Sequence, residues 1–138
     1  MSRIMGIDYG QNRIGIAISD ELQLFATPYQ TLTNLNKEAI FTQLRQIIEK
    51  EQISKIVVGL PYFLDGTPSK QTERILKFIK EIQTCFSLPV ETFDERYSSV
   101  EANKILIKKG ISIRKSKEKI DQIAASIILQ NYLNREDR

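Results

Sequence analysis

The stretch that decides the fold is residues 3–19, which read Arg-Ile-Met-Gly-Ile-Asp-Tyr-Gly-Gln-Asn-Arg-Ile-Gly-Ile-Ala-Ile-Ser. Two runs rich in isoleucine, Arg3–Asp8 and Arg13–Ser19, are separated by a short connection that contains glycine. β-Branched residues favour strands, and a short glycine-containing connection favours a hairpin. We therefore predict that the chain begins with two antiparallel strands.

Three further strands are predicted outward from this hairpin. A weaker strand covers Phe25–Leu32, where Pro28 indicates an edge position or a late start because proline cannot donate to a neighbouring strand. The apolar run Lys55–Leu60 is typical of a strand that is covered on both faces, and such a strand belongs in the middle of a sheet. A last strand is predicted over Pro89–Asp94.

Helices are predicted between and after the later strands. Apolar residues at helical spacing predict one over Lys37–Lys50 with Asn36 as its cap, one after the loop Pro61–Ser69, and a last one over Lys117–Leu133. A capping box at Ser98–Glu101 predicts another helix, which ends near Gly110. The expected fold is α/β, with a mixed five-stranded sheet of three antiparallel strands and then two parallel ones, and helices on both faces.

The composition limits the kind of protein. A chain of 138 residues with 41% hydrophobic and 27% charged residues is expected to form one domain over residues 1–138. No apolar run approaches the roughly 20 residues that cross a bilayer, and no secretion signal is evident, so no membrane partner is expected. The lone Cys85 cannot form an internal disulfide, which fits a reducing compartment.

The chain contains no histidine, and this restricts its chemistry. Ser-His and Cys-His nucleophiles, histidine general bases and most zinc sites are excluded. Any catalysis must depend on carboxylates, Lys, Tyr, Ser or a hard metal ion.

Positive charge is concentrated in the segment 103–119, which carries seven basic side chains against the single acid Glu118 and has a net charge of +6. The remainder of the chain is therefore at about −3, since the whole carries +3. This segregation favours a contact surface for a polyanion, although a solvated loop would have the same composition. The basic residues are Lys104, Lys108, Lys109, Arg114, Lys115, Lys117 and Lys119.

Acidic residues lie where predicted strands end and where the last helix begins. Each has an ordinary explanation: Asp8 can form the hairpin turn, the Asp94-Glu95 pair can be a solvated strand end, and Asp121 suits a helix N-terminus. Together they can meet at one end of a sheet, as hard divalent ions with oxygen ligands require. Two such ions would support phosphodiester hydrolysis without histidine.

Four motifs in register resemble the bacterial YqgF family, which is described as Holliday junction resolvase-like and as nucleases of pre-16S rRNA. They are residues 4–20, the Ile-Val-Val-Gly-Leu-Pro run at 56–61 with Asp65-Gly66 and Gln71-Thr72-Glu73 after it, Asp94-Glu95-Arg96, and Ile-Asp-Gln-Ile-Ala-Ala at 120–125. The resemblance covers essentially the whole chain. It implies an RNase H-like fold, a cytoplasmic location, a divalent metal, either Mg²⁺ or Mn²⁺, and maturation of the 5′ end of small-subunit rRNA.

The family's functional residues can be carried over position by position. Its aspartates fall on Asp8 and Asp121, and its acidic pair falls on Asp94 and Glu95, of which we favour Glu95 as the metal ligand. The resemblance thus implies Asp8, Glu95 and Asp121 as catalytic residues and metal ligands, with Asp94 as the other candidate ligand. Residues expected to contact nucleic acid are Arg96, Ser99, Lys109, Arg114, Lys115, Lys117 and Lys119.

The residues leave several functions open. The chain could cut structured RNA such as pre-rRNA, or resolve branched DNA as a Holliday junction resolvase. It could also bind nucleic acid in ribosome assembly or transcription without turnover. A nucleotide-binding ATPase of the actin or sugar-kinase type is disfavoured because those enzymes close two lobes around nucleotide. A monomer and a weak homodimer are equally compatible with the sequence.

Overall fold

The computed structural model describes residues 2–33, 35–63, 65–97 and 117–135. The predicted helix after Ser98 lies outside these residues. The elements are β1 (Arg3–Tyr9), β2 (Ile14–Ser19), β3 (Ala26–Leu32), α1 (Lys37–Glu51), β4 (Ile53–Leu60), α2 (Lys70–Cys85), β5 (Val90–Asp94), a 3₁₀ turn (Glu95–Tyr97) and α3 (Lys117–Leu133).

The strands form one five-stranded sheet in the order β3-β2-β1-β4-β5. β1, β2 and β3 pair antiparallel, whereas β4 and β5 are parallel to β1. The predicted sheet is therefore confirmed. β3, which contains Pro28, is an edge strand, and β4 is an interior strand whose residues 56–60 are buried.

Helices cover both faces of the sheet, as predicted. One core lies between the sheet and helices α1 and α2, and a second core lies between the sheet and α3. The first core includes Met5, Ile7, Ile14, Ile16, Leu44, Ile47, Val58, Ile75, Phe78 and Ile82. The second includes Ile4, Ala17, Val57, Phe93, Ala125, Ile128, Leu129, Tyr132 and Leu133. Within the described part of the chain, no helix has both the length and the apolar character needed to cross a membrane.

Local hydrogen bonds set where the helices begin. The Asn36 side chain accepts from the first backbone amides of α1, which confirms the predicted cap. The Ser69 hydroxyl accepts from the Thr72 amide, and the Ser69 amide donates to the Thr72 hydroxyl, so the two residues form a capping box at α2. On α2, Phe78 is buried in the core, whereas its neighbour Leu76 is 39% exposed.

Candidate active site

Asp8 lies near the carboxyl end of the central strand β1, directly opposite Gly15 on β2. Side chains alternate between the two faces of a strand, so Asp8 is on the same face as Ile4. Ile4 belongs to the core beneath α3. The Asp8 side chain therefore lies on the face of the sheet that α3 covers.

Gly15 allows α3 to approach this part of the sheet closely. A Cβ atom placed on Gly15 would come within 2.0 Å of the Asp121 carbonyl oxygen and within 3.0 Å of the Asp121 Cβ. Only a residue without a side chain fits beneath the first turns of α3. Because Gly15 pairs with Asp8, this approach brings Asp121 over the same part of the sheet as Asp8.

Asp121 is held by Arg13, a residue that we did not single out from the sequence. The Arg13 Nε donates to Oδ2 of Asp121 at 2.5 Å, and the two side chains are 32% and 20% exposed. Arg13 stands two residues before Gly15, so alternation places both on the α3 face. That alternation was the available signal, but it does not say which residue of a distant helix would lie above.

The acidic pair spans the end of β5: Asp94 is the last residue of the strand, and Glu95 begins the 3₁₀ turn. Phe93 packs in the core beneath α3, whereas Asp94 lies opposite Leu60, which belongs to the core on the other face. Asp94 accepts hydrogen bonds from the guanidinium of Arg96 and then from its backbone amide, and these bonds hold the pKa of the Asp94 carboxyl below its usual range. Glu95 follows in the 3₁₀ turn with its Oε1 buried. The geometry favours Glu95 as the acid on the Asp8 side, and this assignment stays a prediction.

The residues predicted to contact nucleic acid are only partly described. Ser99, Lys109, Arg114 and Lys115 lie outside the described residues, and for Lys117 only its place in the first turn of α3 is given. Lys119 is exposed in the same turn, two residues before Asp121. Arg96 is bound to Asp94, and its guanidinium lies 5.4 Å from the ring centre of Tyr62.

The donor chemistry of Asp8, Glu95 and Asp121 fits a hard divalent cation, since all three offer carboxylate oxygens. Among the described residues, however, no three side chains of ligand type are placed closely enough to hold a metal ion as they stand. The cation found beside Asp121 is the Arg13 guanidinium, which uses Oδ2. Metal binding would therefore require Asp121 to offer Oδ1 or to turn away from Arg13.

Comparisons with known proteins identify relatives over nearly the whole chain. The model of the family described as "RuvX: Holliday junction resolvase" matches residues 2–135. A protein of Koribacter versatilis named "Putative pre-16S rRNA nuclease" is 44% identical over 133 residues, covering 96% of this chain and 87% of the relative. A protein of the same name from Halothermothrix orenii is 40% identical, covering 99% of this chain and 97% of the relative.

Solved structures share the fold. RuvC of T. thermophilus in complex with a Holliday junction substrate superimposes with a TM-score of 0.55 at 12% identity, covering 93% of this chain and 92% of that one. The Fowlpox virus resolvase, in complex with Holliday junction DNA, gives a TM-score of 0.52 at 10% identity, covering 96% and 99%. These neighbours confirm the RNase H-like fold. The family match and the 40–44% identical relatives show that the chain belongs to the RuvX family, which confirms its resemblance to the YqgF proteins.

Proposed function

We propose that the protein is a metal-dependent nuclease that hydrolyses phosphodiester bonds of structured RNA in the cytoplasm and processes the 5′ end of pre-16S rRNA. The observation that carries this proposal is the close approach of α3 at Gly15. Since Gly15 pairs with Asp8, this approach puts Asp121 over the same face of the sheet as Asp8. The three candidate acids are carried by β1, the 3₁₀ turn after β5 and the first turns of α3. This is the donor set that phosphodiester hydrolysis with hard metal ions needs.

In this mechanism Asp8, Glu95 and Asp121 would hold Mg²⁺ or Mn²⁺. When bound, the metal supplies positive charge that stabilises the transition state of hydrolysis and the leaving oxygen. The carboxylates alone would repel a phosphodiester, so neutralisation of their charge is a condition for substrate binding. Arg13 lies beside Asp121 and contributes positive charge there.

RNA is favoured over branched DNA by the pattern of similarity. The relatives that share about 40% of their residues with this chain carry the name of a pre-16S rRNA nuclease. The structures solved with Holliday junction DNA share only 10–12%. Branched DNA remains the second candidate substrate, because the family description itself names a Holliday junction resolvase.

The test is cleavage of a pre-16S rRNA fragment and, in parallel, of a four-way DNA junction, with Mg²⁺ or Mn²⁺ present. We expect Asp8→Asn to lower the cleavage rate at least about 100-fold while leaving the fold intact, because it removes one charged metal ligand. Asp20→Asn is the matched control. Asp20 follows β2 at the opposite edge of the sheet, and its Oδ1 accepts two backbone amides, which an asparagine oxygen can also do.

Cleavage of the RNA that depends on metal and on Asp8 would support the proposal. Cleavage of the DNA junction alone would instead identify branched DNA as the substrate. Full activity of Asp8→Asn would contradict the site. Binding of RNA without cleavage of either substrate would instead support a non-catalytic module in ribosome assembly or transcription.

A further inference from the structure

A cavity opens at the end of the sheet that carries Asp8, on the face that α2 covers. It has a volume of about 340 Å³ and is lined by the turn between β1 and β2 and by one residue of α2. This volume is at the lower end of the range of about 300–1,000 Å³ found for ligand sites. The lining residues are Tyr9, Gly10, Gln11, Asn12 and Arg74. Tyr9 directly follows Asp8, so the cavity and the candidate acids lie on opposite sides of one strand end.

A chain of hydrogen bonds fixes Arg74 beside this turn. The Gln71 side-chain amide donates to the Tyr9 carbonyl at 2.9 Å, and its oxygen accepts from the Arg74 guanidinium at 2.9 Å. The Tyr9 ring packs on Phe78, one turn further along α2, with the ring centres 4.3 Å apart. The position of Arg74 is therefore coupled to the end of β1.

The turn itself is tight and presents polar groups. The Gly10 amide donates to the Arg13 carbonyl at 3.0 Å, and a Cβ on Gly10 would come within 2.7 Å of that oxygen. A larger residue at position 10 would therefore push the Arg13 carbonyl away and widen the turn. The exposed residues Gln11 and Asn12 form its tip.

The charge of the cavity suits an anion. Its lining holds one cation and no carboxylate. Within the described residues, the guanidinium of Arg74 forms no ion pair, and its bond to Gln71 uses only Nη1. Arginine has five N–H donors, so several remain for a ligand.

We propose that Arg74 and the turn at residues 9–12 bind a backbone phosphate of the nucleic-acid substrate, next to the linkage that the acids of the α3 face act on. A planar guanidinium that is held in place is well suited to two parallel hydrogen bonds to phosphate. A nucleic-acid strand that crosses the carboxyl end of β1 would contact both the face of the sheet that α2 covers and the face that α3 covers. This inference rests on the proposed function for the identity of the anion, since it takes the substrate to be a nucleic acid.

The test measures binding of a fluorescein-labelled pre-16S rRNA hairpin at several KCl concentrations, in the Asp8→Asn background so that no cleavage occurs. We expect Arg74→Gln to weaken binding about ten-fold and to lower the salt dependence by about one phosphate contact. Lys80→Gln is the matched control. It removes the same charge from an exposed residue of α2, about 9 Å further along the helix axis.

Arg74→Lys should restore the salt dependence, because the charge returns, while affinity recovers only in part, because the fork of donors does not. Amide chemical shifts of Gly10, Gln11 and Asn12 should move on addition of the hairpin, and much less in Arg74→Gln. Equal effects of Arg74→Gln and Lys80→Gln, or unchanged shifts at the turn, would overturn the proposal.

This result is separable from the nuclease assay. If the wild-type protein cuts RNA while Arg74→Gln binds normally, the phosphate site fails and the nuclease stands. If RNA is bound through Arg74 but never cut, the site stands and the proposed activity fails.

Discussion

Replacing Gly15 with alanine tests the closest contact in the candidate site. The new Cβ would lie 2.0 Å from the Asp121 carbonyl oxygen and 2.4 Å from the carbonyl carbon. An ordinary contact needs about 3.5 Å, so α3 and β2 must separate by about 1.5 Å. The clashing atoms belong to the helix backbone and cannot rotate away as a side chain could. We expect a loss of about 2–3 kcal/mol in the free energy of unfolding, the upper part of the range for overpacking.

The same displacement should damage activity. Asp121 would move away from the face that carries Asp8, and an error of about 1 Å in a reacting group can lower a rate about 100-fold. Urea unfolding measures the first effect, and we expect the midpoint to fall by about 1 M or more at an unchanged slope. The cleavage rate of the pre-16S rRNA fragment, measured under conditions where the variant is folded, reports the second.

Gly59→Ala is the matched control, because Gly59 on β4 also lies beneath α3. Its added Cβ would meet Cδ1 of Ile128 at 2.5 Å, which is the end of a flexible side chain. A rotation of the Ile128 side chain by about 30° away from its preferred torsion costs about 0.5–1.5 kcal/mol and can relieve that contact without moving the helix. Wild-type stability and activity in Gly15→Ala, or an equal loss in both variants, would refute the argument that backbone contact at Gly15 positions Asp121.

Substitutions at two further positions test interactions that stabilise the fold. Thr72→Val should lower the free energy of unfolding by about 2–3 kcal/mol, because the fully buried hydroxyl accepts from the Ser69 amide and donates to the Pro61 carbonyl, just after β4. Thr72→Ser should recover most of the loss in urea unfolding, and a valine variant as stable as the wild type would contradict this role of the hydroxyl. Lys55 donates to Glu91 and lowers the pKa of the Glu91 carboxyl. The stabilisation by this ion pair is therefore complete above the unfolded pKa of about 4.3, and it is lost as the pH falls through the lower folded pKa. Because the Glu91 side chain is 44% exposed, the free energy of unfolding of the wild type should exceed that of Glu91→Gln by less than about 1 kcal/mol at pH 7, and this difference should shrink below about pH 4. A difference that does not change with pH would exclude the ion pair as its source.

The sheet could be predicted from the sequence because its signals are local. Proline in Phe25–Leu32 indicated an edge position or a late start, of which the edge position is observed, and the apolar run before Pro61 indicated an interior strand. The connections through α1 and α2 made the later strands parallel. Each of these inferences needs only a window of residues and the rules of strand pairing, and each is confirmed by the observed order of strands.

The candidate site could be predicted only in part, because its decisive contacts are long-range. The bond from Arg13 to Asp121 joins residues 108 positions apart, and no local pattern specifies such a pair. The sequence nevertheless held a signal that we did not use. Gly6, Gly15 and Gly59 lie in three adjacent strands, and an added Cβ on each would meet α3.

A helix that rests on strand glycines approaches the sheet more closely than one that rests on larger side chains. At Gly15 this closeness is greatest, since the contact is with the backbone of Asp121 rather than with a side chain. The acid and the glycine are therefore coupled: a longer residue at 15 would keep Asp121 in the sequence but move it off the Asp8 face. Asp121 alone looks like an ordinary acid at a helix N-terminus. Its position over the face that carries Asp8 depends on Gly15, which has no side chain to hold α3 away from the sheet.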